Sequence, residues 1–157
     1  MRNETYRQLL LRFESELADS LEFLPMVVRF KLDTCGMKMK LAQWQALAFE
    51  ERSRLMSAPC ATPAEAADYR AAVTRLVEQR TGAVPLSFAP EADAPWLDCD
   101  TIPERLVRRI EDAQLRPPTL QQWRALSTLQ RYSLIKLAQS RHDGNHFLPA
   151  LQEFGWT

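Results

Sequence analysis

Residues 119–134 read TLQQWRALSTLQRYSL, and residues 40–55 read KLAQWQALAFEERSRL. Superimposed, Leu41, Gln43, Trp44, Ala46, Leu47, Arg52 and Leu55 fall on Leu120, Gln122, Trp123, Ala125, Leu126, Arg131 and Leu134, all at the offset 123 − 44 = 79. The later stretch contains two capping-box spacings, Thr119 with Gln122 and Ser127 with Gln130. In this motif the hydroxyl accepts the N3 amide while the N3 side chain reaches back to the cap amide. These boxes divide the stretch into two short helices meeting near Ser127, and by analogy near Ala48 in the earlier stretch.

The helical pattern extends outward on both sides. Pro25 pairs with Pro103 at an offset of 103 − 25 = 78, so one residue is inserted between the prolines and the tryptophans. Leu24, Lys31, Leu32 and Asp33 then match Ile102, Arg109, Ile110 and Glu111. Proline suits the first turn of a helix, where its missing N–H costs nothing. The helix after Pro25 should bury Val28 and Leu32 and stop at Gly36, a suitable left-handed cap. Upstream, Tyr6, Leu10, Phe13, Leu17 and Leu21 recur at three- and four-residue steps and predict an N-terminal α-helix. Downstream, Thr62-Pro63-Ala64-Glu65 is a capping box that opens a helix with the stripe Ala66, Tyr69, Val73, Leu76 and Val77, ending before Gly82. The last element, Phe147 to Phe154, has Leu148, Leu151 and Phe154 on one face and Asn145 as its cap.

Residues 83–101 differ in kind. Pro85, Pro90 and Pro95 forbid a continuous helix, and Glu91, Asp93, Asp98 and Asp100 make the segment acidic. It reads as an ordered connector, pinned by Phe88 and Trp96. No alternating strand pattern stands out anywhere. The expectation is an all-α single domain over 1–157, a compact bundle of about eight to nine helices built from two tandem copies of a multi-helix unit. The first repeat spans 24–82 and the second 102–157, with Trp44 and Trp123 holding the copies together.

Composition sets the outer limits. Hydrophobic residues at 46% and charged residues at 25% describe a globular chain. The 20 basic and 20 acidic side chains cancel, which argues against a general nucleic-acid binder, whose affinity rests on a basic excess. No apolar run is long enough for a membrane span, and the start does not read as a signal peptide. Cys35, Cys60 and Cys99 are odd in number and widely spaced, as in a reducing cytosol, and the chain is expected to be cytoplasmic.

Candidate chemistry is sparse. Cys35 and Cys60 offer a redox pair or, with His142 and His146, a metal site. No C-x-x-C occurs, however, and the expected role of the thiols is as small buried hydrophobes and turn residues. No cofactor is expected. No nucleophilic elbow, phosphate loop or dinucleotide fingerprint is present, so the expectation is a non-enzyme. Arg52 and Arg131 suit an anion, or equally the carbonyls at a helix end. The most suggestive pattern is basic: Arg29, Lys31, Lys38 and Lys40 in one half, and Arg105, Arg108, Arg109 and Arg116 in the other. Repeated in step, these clusters would suit an acidic partner or a phosphate-bearing ligand, or simply form solvated helix faces.

The run from Phe23 to Leu41 (FLPMVVRFKLDTCGMKMKL) and on to Trp44 resembles the signature of the nitrate reductase-associated protein family. So do Glu51-Arg52, the Pro59-Cys60 turn, the Tyr69-Arg70 helix ending at Thr81-Gly82, and the tail NHFLPALQEFG from Asn145 to Gly155. The resemblance covers about residues 13–157. Met37 and Met39 stand where isoleucine and leucine are expected, both conservative exchanges. The family takes its name from genes beside those for assimilatory nitrate reductase and molybdenum-cofactor synthesis, chiefly in bacteria. It implies an accessory protein of nitrate assimilation that acts on the maturation or control of nitrate reductase through protein–protein contact. The alternative is a small anion- or cofactor-binding protein of the same pathway. The resemblance supplies no catalytic residues.

Overall fold

A computed structural model describes residues 4–140 and 144–156. They are mostly helical, with 63% helix against 3% strand. The chain divides into two compact units, Met1–Glu91 and Ala92–Thr157. The segment 83–101 is therefore shared between them, its first part folding with unit 1 and the remainder with unit 2.

Unit 1 begins with two 3-10 helices, Glu4–Leu9 and Arg12–Leu17. A continuous α-helix was expected there, and the reason for the break is Glu14. Its buried carboxylate accepts the Leu11 amide at 3.2 Å and the Met26 amide at 2.8 Å. This ties the segment to the start of the next helix and holds Leu11 extended. That next helix, α1 (Met26–Cys35), has Pro25 as its N-cap and Gly36 in the left-handed region as its C-cap, with Val28 and Leu32 buried. After α2 (Leu41–Ala46) and α3 (Phe49–Ser57), α4 (Pro63–Thr81) opens on the Thr62–Glu65 capping box and closes on left-handed Gly82. Tyr69, Val73 and Val77 form its buried stripe, and it packs on α1 and α2.

Sequence periodicity missed one element. Strands β1 (Met37–Lys38) and β2 (Leu86–Ser87) pair antiparallel, Met37 opposite Ser87 and Lys38 opposite Leu86. Two residues are too few to leave an alternating pattern. Gly36 makes the pairing possible: its carbonyl accepts the Phe88 amide at 2.9 Å, and a Cβ there would lie 2.4 Å from the Phe88 carbonyl oxygen.

Unit 2 opens on a 3-10 turn, Pro95–Leu97, which buries Trp96. It continues with α5 (Glu104–Asp112), α6 (Leu120–Ala125), α7 (Thr128–Gln139) and α8 (Gly144–Glu153). Helix α7 is central, packed against α5, α8 and the 3-10 turn, and accordingly it is buried on almost every side from Arg131 to Ala138, with Arg131 and Ser133 as its buried polar residues. The inward face of α8 is not the expected one. Phe147, Ala150 and Leu151 are buried while Leu148 is 46% exposed, because Phe147 turns inward to lie under Arg109, 5.1 Å from its ring centre. The side chain of Asn145, the expected cap, lies outside the described residues.

The two tryptophan segments have closely similar local geometry. Both capping boxes of unit 2 form, through Thr119–Gln122 and Ser127–Gln130. In unit 1 Glu51 accepts the Ala48 amide at 2.8 Å, and alanine contributes no hydroxyl in return. Leu47 and Leu126, the hinges between the paired short helices, both stand at φ −72°, ψ 150°. The correspondence is local and does not establish whole tandem copies. Gly36 falls on Gln114 at the offset of 78, and both are left-handed, at φ 77° and 60°, but helix α4 has 19 residues against 10 in α8.

Candidate functional site

The paired arginines and tryptophans serve the interior of their own units. Trp44 Nε1–H donates to the Leu21 carbonyl at 2.7 Å, and Trp123 Nε1–H to the Asp98 carbonyl at 2.8 Å. Arg52 donates to the carbonyls of Ser20, Leu21, Gln45 and Leu47. Arg131, only 6% exposed, donates to Trp96 at 2.9 Å and Leu126 at 2.6 Å. In each unit one guanidinium gathers carbonyls from the inter-helix hinge and from the segment preceding the unit's first long helix. Leu21 adopts φ +49°, rare for a branched residue, and two of these donors, Trp44 and Arg52, hold its carbonyl. Their donors are thereby committed to backbone and are not presented to a ligand.

Lys31 is likewise turned inward. Its Nζ donates to the Met56 and Ala58 carbonyls, each at 2.6 Å, and lies 5.9 Å from the centre of the Tyr69 ring. Burial lowers its pKa. A half-buried lysine closing the last turn of α3 looks, in sequence, the same as one on a basic surface.

Around Lys31 the fold assembles a group that sequence spacing did not announce. Cys35 and Cys60 are both buried. The Cys35 Sγ–H points to the Leu32 carbonyl at 3.5 Å and the Cys60 Sγ–H to the Lys31 carbonyl at 3.6 Å, so the two thiols meet on consecutive carbonyls of α1. The neighbouring Cys60 thiol pushes the Cys35 thiol up, reinforced by burial. The same pairing, helped by the Lys31 ammonium, draws Cys60 down against burial and the Glu65 carboxylate. Arg70 donates to the Cys35 carbonyl at 3.1 Å. The buried Tyr69 hydroxyl donates to the Leu55 carbonyl at 2.9 Å, and desolvation holds it well above the usual phenol range. Cys99 belongs to unit 2. His142 lies outside the described residues, and among those described no three His, Cys, Asp or Glu side chains converge as a metal site requires.

The remaining basic residues divide by unit. In unit 1, Arg29 is half-buried, whereas Lys38 and Lys40 are exposed beside the hairpin and have no ion pair among the described residues. Directly opposed residues of an antiparallel pair point to one side, so Lys38 shares a face with Leu86. Val84 and Phe88 flank this two-residue strand, two positions either side of Leu86. Val84 is 55%, Leu86 60% and Phe88 40% exposed. On the opposite face Met37 is buried, and Ser87, though exposed, accepts a 2.9 Å bond from Arg70. In unit 2, Arg105 and Arg116 are exposed, Arg108 pairs with Glu104 at 2.6 Å, and Arg109 covers Phe147. Within each unit the basic residues therefore serve different ends. Arg52, Arg131 and Lys31 brace helix ends and turns, Lys38 and Lys40 frame an apolar surface, and the arginines of α5 sit among acids.

A family described as conserved nitrate reductase-associated protein matches residues 10–154. No curated protein and no solved structure matches the chain.

Proposed function

Because the chain belongs to the conserved nitrate reductase-associated protein family, we propose that it is a non-enzymatic, cytoplasmic accessory protein. It engages a protein of the nitrate-assimilation system and serves the maturation or control of nitrate reductase. The observation that carries this reading is the outward face of the unit 1 hairpin, where Val84, Leu86 and Phe88 stand in solvent beside Lys38 and Lys40. A folded chain gains nothing by exposing three adjacent large apolar side chains unless something covers them. The cationic rim suits a partner whose contact surface is apolar at its centre and acidic at its edge. Among the described residues no helix is long and apolar enough to cross a membrane.

The rival reading, a small anion- or cofactor-binding protein using Arg52, Arg131 and the lysine cluster, is disfavoured because both guanidinium groups and the Lys31 ammonium are already bonded to carbonyls. Two experiments separate the readings. Affinity capture from nitrate-grown cells should recover a reductase, cofactor-synthesis or transport protein with the native chain, and should lose it with Leu86→Asp or Lys38→Glu, both folded. Recovery of no such protein, or recovery indifferent to the hairpin face, would sink the proposal. Thermal-shift measurements with nitrate, nitrite, molybdate and nucleotides should stay flat, since a ligand of the folded state raises the melting temperature by mass action.

A further inference from the structure

We propose that Cys35 and Cys60 form a redox-active dithiol that converts reversibly to a disulfide, Cys60 meeting the oxidant and Cys35 resolving the product. The two thiols come from elements 25 positions apart, since 60 − 35 = 25. They are brought together at the end of α1 on the carbonyls of Lys31 and Leu32. Their surroundings are unequal. Cys60, 8% exposed, sits in the turn between α3 and α4 among exposed Pro59, Ala61 and Thr62, the side from which a small oxidant would approach it. The ammonium of Lys31 is fixed beside it by the Met56 and Ala58 carbonyls. A cation held next to a thiol favours the thiolate, the form that reacts. Cys35 lies at the closing turn of the helix, 6% exposed, with its proton directed to the Leu32 carbonyl.

The oxidant is a hydroperoxide. The Cys60 thiolate attacks its terminal oxygen; an S–O bond forms and the O–O bond breaks. The leaving oxygen takes up a proton as water or an alcohol. Two electrons pass from sulfur to the peroxide, leaving a sulfenic acid. The Cys35 sulfur, its proton passing to the departing hydroxide, then attacks the Cys60 sulfur. An S–S bond forms, the S–O bond breaks and water leaves. A thiol or dithiol reductant restores the pair by exchange. In reducing compartments a disulfide of this kind is typically transient and redox-sensing. Lys31 is a positioning residue in this scheme, because it touches neither oxidant nor leaving group.

The test uses the unmodified chain. Reduced protein is titrated with hydrogen peroxide, quenched with an alkylating reagent and analysed by intact mass and peptide mapping. The expected result is loss of two hydrogen masses, a Cys35–Cys60 cross-linked peptide, an alkylated Cys99, and full reversal by dithiothreitol. In Cys35→Ser the sulfenic acid should persist at Cys60, trapped by a 1,3-dione; in Cys60→Ser, Cys35 should remain a thiol. Lys31→Met should slow Cys60 oxidation about five-fold or more at neutral pH, with the gap closing at alkaline pH where the thiol ionises unaided. The proposal is overturned if Cys99 is consumed first while Cys35 and Cys60 remain alkylatable, or if oxidation yields only links between chains.

Discussion

Replacing Arg131 with methionine distinguishes an internal brace from an anion ligand, because the two roles lose different things. Methionine retains most of the apolar stem and removes the donors. Two short bonds from a charged group are lost, to Trp96 at 2.9 Å and Leu126 at 2.6 Å. Each contributes about 1.5–3 kcal/mol where the acceptor is left buried. The contact over Trp123, 5.9 Å from the ring centre, adds about 0.5–1 kcal/mol. Neighbouring terms in one network do not add fully, so the expected loss is about 3–4 kcal/mol. For a unit of this size that lowers the melting temperature by more than about 10 °C. Urea titration followed by tryptophan fluorescence suits the purpose, since Trp96, Trp123 and Trp156 all belong to unit 2. The midpoint should fall with an unchanged slope. Arg131→Lys should recover less than half, because an ammonium cannot reproduce the planar fork. A midpoint within about 1 kcal/mol of the native protein, together with loss of stabilisation by an added anion, would refute the brace.

Gly36→Ala should destabilise unit 1 by about 2 kcal/mol or more, combining left-handed strain with a collision against the Phe88 carbonyl. Amide exchange at Phe88 should accelerate with it. Gly82→Ala is the control: its φ of +75° is similar but nothing lies within 4 Å of the added carbon, so the cost should be only about 1 kcal/mol. Trp44→Phe removes the 2.7 Å bond to the Leu21 carbonyl and should cost about 2 kcal/mol in chemical denaturation. Burial opposes ionisation of Glu51, but the Ala48 amide and Arg80 outweigh it and hold the carboxyl below its usual range. A depressed carboxyl stabilises the fold above its unfolded-state pKa and loses that contribution as pH falls through the folded-state value. Glu51→Gln keeps the amide cap, as Gln122 and Gln130 do in unit 2, and loses the charge paired with Arg80. It should therefore cost about 0.5 kcal/mol at neutral pH, and the difference from the native protein should vanish in acid.

Much of the helical order was legible because its signals are local. Pro25 and Gly36 bracket α1, Thr62 and Glu65 open α4, and Ser127 with Gln130 marks the break before α7, each within a few residues. The failures share a cause in long-range contacts. Glu14 turns inward to an amide twelve positions away, and no periodicity reports that. The outward face of β2 depends on pairing with a strand nearly fifty residues earlier. The site was less legible still. Arg52, Lys31 and Arg131 carry the same charge in sequence as Lys38, yet the former are satisfied by carbonyls and Lys38 is not. Cys35 and Cys60 meet only because the α3–α4 turn returns to the end of α1.

The hairpin has a mechanical consequence. By pairing Met37 with Ser87 it fastens the two ends of an excursion that contains α2, α3 and α4. The clasp is only two residue pairs long, and a ladder of that length is marginal by itself. A partner that grips Val84, Leu86 and Phe88 would therefore also hold the clasp shut. Its affinity and the resistance of those three helices to unfastening would then be one coupled quantity, readable as slowed amide exchange far from the contact.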